Sequence, residues 1–163
     1  MTSETFTVSE SVLQALQSME FTRGLEPRHL IKLASMATEL TFDEGDSVFH
    51  EGDTGGKIYL VSEGRVALYI HVPGRGRVTI LTVEPGRLLG WSSLFPPHHK
   101  TASARAMTFT RIMAIDASEL WEACQADCGL GYNIMCRVAE AITSRLIATR
   151  LQLLDMFSPA NPS

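Results

Sequence analysis

The sequence predicts an α+β, mainly β, domain: a sandwich or jelly-roll barrel with helices before and after it. Three observations carry this. Short runs rich in Val, Ile, Leu and Tyr recur across residues 41–116, with glycine-bearing turns about every ten residues between them. Residues 9–40 lack that alternation and instead space their apolar residues three and four apart. Residues 117–157 do the same over a much longer stretch.

In the first zone, Val12, Leu13, Leu16 and Met19 lie at helical spacing behind a Ser9 cap. A second short helix follows in "GLEPRHLIKLASMA", with Leu30, Leu33, Ala34, Met36 and Ala37 on its apolar face. The β zone holds candidate strands at 47–50, 57–62, 65–71, 78–83, 103–107 and 111–115. In the third of these, Val66, Leu68 and Ile70 alternate with Ala67, Tyr69 and His71, as in a half-buried strand. "EGD" at 44–46 and again at 51–53, "SEG" at 62–64, "PGRGR" at 73–77 and "EPG" at 84–86 are the turns.

A short helix is expected over 117–126, then one long one. Leu130, Ile134, Val138, Ile142, Leu146, Thr149, Leu153 and Met156 follow at steps of four and three. They form one stripe on a helix of about 28 residues, roughly 40 Å long. That is longer than one face of a small barrel needs, and an apolar stripe is costly to leave in water. A second copy of the chain is the expected cover, making a homodimer; the other reading packs the whole stripe on its own barrel.

Composition narrows the function. The chain has 163 residues, enough for one domain with a sizeable core, and a formal charge of −4. An acidic chain offers no broad basic surface to a phosphate backbone, so direct DNA binding is not expected. No apolar run approaches the roughly 20 residues of a membrane span, and the polar, acidic start "MTSETFTVSESV" is no secretory signal. No membrane association is therefore expected. The cysteines Cys124, Cys128 and Cys136 are odd in number and close together. They read as structural thiols in a reducing cytoplasm.

No catalytic residue, cofactor or metal site is expected. Glu44, Glu51 and Glu63 lie in turns, and "GRGR" at 74–77 is a hairpin tip without the strand–loop–helix context of a phosphate loop. The adjacent His98 and His99 lack a third ligand nearby; they serve better as anion-facing or exposed side chains.

The segment "GRLLGWSSLFPPHHKTASARA" at 86–106 does not read as a plain strand connection. Together with "FDEGDSVFHEGDTGGKIYLVSEGRVALYI" and "TILTVEPGRLLGWSSLF" it resembles the cyclic-nucleotide-binding domain, above all the effector domain of catabolite-activator (Crp/Fnr) type regulators. Gly45, Gly52, Gly64, Gly86 and Gly90 match the family's turn glycines, and the resemblance runs from about residue 25 to 157.

The resemblance implies an eight-stranded double-stranded β-helix, or jelly roll, and a ligand cassette corresponding to 90–106. The expected ligand-binding residues are Gly90, Trp91, Ser92, Ser93, Lys100 and Thr101. A short helix from Gly90 would aim N–H groups at a phosphate, Ser92 and Ser93 would add hydroxyls, and Lys100 would supply the charge. Thr149 matches a long-helix hydroxyl that reaches the nucleotide base in the family; it equally fits the apolar stripe. Two positions depart from the pattern. Trp91 stands where a glutamate usually holds the ribose, and Lys100 stands where an arginine usually forks onto the phosphate. Arg105, the nearest arginine, belongs to the next strand.

The expected organisation is one domain over 1–157, with helices at 9–40, the jelly roll at 41–116, C-terminal helices at 117–157 and a disordered tail at 158–163. After Phe157 only "SPANPS" remains, so the regulators' helix-turn-helix domain is not expected here. The resulting expectation is a stand-alone sensor domain for a small phosphate-bearing nucleotide, cAMP or cGMP first, that signals through its long helix to a downstream protein partner. The rival is a degenerate, ligandless dimeric protein-interaction module.

Overall fold

The computed structural model describes residues 9–54 and 56–157. The tail expected at 158–163 lies outside the described residues. Eight strands follow in order: β1 (Ala37–Phe42), β2 (Ser47–Phe49), β3 (Lys57–Glu63), β4 (Val66–Val72), β5 (Gly76–Val83), β6 (Leu88–Leu89), β7 (Ser103–Ala106) and β8 (Thr110–Asp116). They pair antiparallel in a nested way: β1 with β8, β2 with β7, β3 with β6 and β4 with β5. The chain is thus one long hairpin rolled on itself, which is the jelly roll. Two four-stranded sheets result, ordered β1-β8-β3-β6 and β2-β7-β4-β5.

Alternation decides which side chains fill the roll. Phe49, Val61, Val66, Leu68, Val83, Leu89, Ala104 and Ile112, drawn from both sheets, form its inner core. The turn between β3 and β4 requires glycine. Gly64 has φ +84°, and a Cβ there would lie 2.3 Å from the Phe109 carbonyl oxygen.

Strand β1 starts at Ala37, so Thr38, Glu39 and Leu40 are strand where helix was expected. Its side chains are mostly exposed or half-exposed, so the alternation that marks a strand is weak. Its conformation comes from the ladder to β8, Ala37 opposite Ile115 through Phe42 opposite Thr110. The two-residue β6 was too short to show any period.

The helices make a second core. The helix α1 (Glu10–Gln17) buries Val12 and Leu16, and α2 (Pro27–Met36), with Pro27 in its first turn, buries Leu33 and Ala34. They pack with Leu120 of α3 (Ala117–Ala126) and with Leu130, Ile134 and Val138 of α4 (Cys128–Phe157). Both C-terminal helices start on aspartates. The Asp116 carboxylate accepts from the Glu119 N–H at 3.0 Å. Asp127 accepts from the N–H groups of Gly129 and Leu130 at 3.1 and 3.2 Å, and from Arg28 of α2 at 2.8 Å. Asp127 therefore fixes where α4 begins and ties that end to α2.

From there α4 runs 30 residues. Among the described residues, no helix is long and apolar enough to cross a membrane.

Candidate functional site

Between β6 and β7 the chain makes a compact cassette. It opens at Gly90, whose φ of +77° turns the chain, and continues in a 3-10 turn over Trp91–Leu94. Four residues of 3-10 geometry give no developed macrodipole. The anion-binding helix start expected here is one tight turn, with Ser92 and Ser93 buried in it.

The rest of the cassette is stitched to the β2–β3 turn. The Lys100 N–H donates to the Asp53 carbonyl at 2.9 Å, and the Gly52 N–H donates to the Lys100 carbonyl at 2.8 Å. His98 bonds through Nδ1 to the Ser93 carbonyl at 3.0 Å, and His99 bridges to Thr54. Thr101 is exposed at the turn into β7, and Arg105 projects outward from that strand.

Lys100 points inward and is only 3% exposed. Its ammonium donates to the Lys57 carbonyl at 2.7 Å, the Gly90 carbonyl at 3.0 Å and the Ser93 hydroxyl at 2.6 Å. An ammonium has three protons, and each has an acceptor within the protein. Below it lie the stacked rings of Phe49 and Tyr59, 4.9 and 5.3 Å from the nitrogen. Burial lowers the Lys100 pKa to about 8, against a weaker pull upward from Asp53. This contact also explains Gly90: a Cβ there would stand 2.9 Å from Nζ and 3.0 Å from the Tyr59 ring.

Over the cassette lies α4. Trp91 is half-buried, and the Arg145 guanidinium carbon sits 5.5 Å from its ring centre. Among the described residues Arg145 makes no side-chain hydrogen bond and no ion pair, and burial lowers its pKa. One turn on, Thr149 donates to the Arg145 carbonyl at 2.9 Å. Gln152 reaches Thr79 of β5, donating to its carbonyl at 3.3 Å. A groove of about 490 Å³ runs along the seam of α4 and β5 just before Arg145, lined by Leu81, Val83, Gly86, Arg137, Glu140 and Ser144 among others.

The stripe expected along α4 divides in two. Leu130, Ile134 and Val138 are buried, and Ile142 packs on the same core. Beyond it the polarity reverses. Half-buried positions facing the barrel are Arg145, Ala148, Thr149 and Gln152, while Leu146, Ile147, Leu151, Leu153 and Leu154 are each more than half exposed.

Of the residues predicted for the site, Gly90, Ser93 and Lys100 come together directly. Ser92 is buried beside them and Trp91 faces α4. Thr149 stands on α4, and Thr101 looks to solvent. Sequence reasoning missed Arg145, Gln152, Phe49 and Tyr59. The signal for the first two was present: 145, 149 and 152 are a polar stripe at steps of four and three inside an apolar helix.

This arrangement is that of a known family: residues 39–127 match the model of the cyclic nucleotide-binding domain. The chain belongs to the cyclic nucleotide-binding domain family. It is 31% identical over 99 residues to the CRP-like cAMP-activated global transcriptional regulator of Mycobacterium tuberculosis. That match covers 60% of this chain and 44% of the regulator, so the chain spans less than half the length of that relative. The N-terminal domain of a transcriptional regulator from Streptomyces coelicolor superposes with a TM-score of 0.66 at 26% identity, covering 91% of this chain and 99% of that one. A cyclic nucleotide-binding domain from Methylobacillus flagellatus shares the fold, with a TM-score of 0.77 at 20% identity, over 94% of this chain and 86% of its own.

Proposed function

We propose that this cyclic nucleotide-binding domain is a cytoplasmic sensor. It binds a small phosphate-bearing nucleotide, cAMP or cGMP first, between the cassette and α4. It then passes occupancy through α4, within a homodimer, to a partner protein.

The reversed polarity of α4 beyond Ile142 carries this reading. A helix that only covers a barrel turns its leucines inward. Here Arg145, Thr149 and Gln152 face the barrel instead; Thr149 and Gln152 bond to backbone carbonyls, so of the three it is Arg145 that, among the described residues, still calls for a polar occupant or water. The outward leucines serve a second need. Ile147, Leu151 and Leu154, at steps of four and three, form a seam that a second α4 would bury. One helix thus joins a ligand-facing side to a partner-facing side.

Gly90, Trp91, Ser92, Ser93 and Thr149 border the proposed site, whereas Thr101 looks to solvent and Lys100 is committed within the cassette. The free thiols of Cys124, Cys128 and Cys136 suit a reducing compartment. Occupancy would favour one position of α4 over another, so the ligand shifts a population rather than driving chemistry.

One observation favours the rival, a ligandless interaction module: every Lys100 proton is already bound within the protein. Titration calorimetry of the whole chain against cAMP, cGMP and cyclic dinucleotides at low salt separates the two. Saturable heat with one of them supports the sensor; no heat with any supports the module.

A further inference from the structure

Between β6 and β7 the one lysine or arginine is Lys100, and it offers no uncommitted charge to an anion. A buried anion needs donors that are not already bound elsewhere, and the three Lys100 protons go to Lys57, Gly90 and Ser93. Lys100 has the geometry of a strut: it joins β3 and both ends of the cassette over the Phe49 and Tyr59 rings.

The helix face above holds a cation in the opposite situation. Arg145 is half-buried and, among the described residues, has no hydrogen-bond acceptor and no carboxylate partner. Among the described residues, its one close electrostatic contact is the Trp91 ring, 5.5 Å from its guanidinium carbon. A guanidinium in that position presents a planar fork suited to phosphate oxygens. Thr149 and Gln152 flank it on the same face.

We propose that the anionic group of the ligand is recognised by Arg145 of α4, across the ring of Trp91, while Lys100 holds the cassette in shape. This rests on the sensor reading above and deepens it. The ligand is a nucleotide whose charge, not only its ring, is turned toward α4. The helix that carries the dimer seam then feels the charge directly, and its position depends on it without relay through the cassette.

The test compares the whole chain as wild type, Arg145→Gln, Arg145→Lys and Lys100→Met. Each is titrated with cAMP, cGMP and the uncharged adenosine, after circular dichroism has confirmed folding. The wild type should bind a cyclic nucleotide more tightly than adenosine. Arg145→Gln should weaken that nucleotide at least about tenfold and bring it close to adenosine, Arg145→Lys should retain part of the preference, and Lys100→Met, which loosens the cassette, should keep the wild-type ratio of nucleotide to adenosine affinity within about threefold whatever its absolute affinity.

Unchanged preference for the charged nucleotide in Arg145→Gln overturns the proposal and leaves the sensor reading intact. Loss of that preference in Lys100→Met alone does the same. If Lys100→Met does not fold, the two Arg145 variants decide by themselves. Absence of any cyclic-nucleotide binding in the wild type defeats the sensor reading, and this inference with it.

Discussion

Lys100 donates to the Ser93 hydroxyl at 2.6 Å, which closes the cassette on itself. The same ammonium reaches the carbonyls of Lys57 and Gly90, so one side chain fixes the loop at both ends and anchors it to β3. Lys100→Met keeps much of the side-chain volume and removes the donor that Lys57, Gly90 and Ser93 share. Unfolding in urea should show a loss of about 2–4 kcal/mol. A loss below about 0.5 kcal/mol, the range of a neutral surface change, would show that the strut does not bear on stability.

The same residue predicts a pH dependence. Its pKa is about 8 in the fold, against 10.5 for a free lysine. Between about pH 8 and pH 9.5 the unfolded chain keeps the proton that the folded chain gives up. The unfolded state then binds more protons, so stability rises with pH, by at most about 1.4 kcal/mol per unit. Tyr59 works against this only near and above its own ordinary range: burial raises its pKa above 10, and stability falls as the unfolded tyrosine ionises. Urea unfolding of wild type across that window should show the rising slope. Lys100→Met should lack it, and equal slopes in the two would contradict the assignment.

The outer face of α4 predicts an assembly. Leu151 is 57% exposed and Ile147 51% exposed, so neither belongs to the core of a single copy. The double variant Ile147→Glu, Leu151→Glu should keep the native circular dichroism spectrum and convert a dimer to a monomer in sedimentation. Placing like charges in an apolar seam should weaken association more than about a hundredfold. A monomeric wild type would contradict the homodimer.

Gly64 predicts a local failure. With φ +84° and the Phe109 carbonyl 2.3 Å from where a Cβ would stand, Gly64→Ala must move the β3–β4 turn. It should cost more than about 2 kcal/mol. Gly74, also at positive φ but with nothing within 4 Å, should lose only the conformational part, about 1–2 kcal/mol. Comparing the two by chemical unfolding separates crowding from backbone strain.

The jelly roll was legible because its strands are short apolar runs and most of its turns, at Gly45, Gly52, Gly64, Gly74 and Gly86, carry a glycine. Strand β1 escaped, since an outer strand with few buried residues has no strong period and takes its shape from β8. The cassette was legible as a segment but not as a mechanism. Whether Lys100 faces solvent or core depends on Phe49 and Tyr59, which lie far from it in the chain and meet it only after the roll has closed. The reversal along α4 was hidden by reading a single stripe through Thr149. Leucines set the period, and the polar set at Arg145, Thr149 and Gln152 has the same spacing one face away.

The central claim is that a ligand occupies the space between the cassette and the polar face of α4. Hydrogen–deuterium exchange of the whole chain, with and without saturating cAMP, tests it most directly. Protection gained together in residues 90–101 and 145–152 is the predicted result. Exchange left unchanged by cAMP, and by cGMP in its place, in both segments would contradict it.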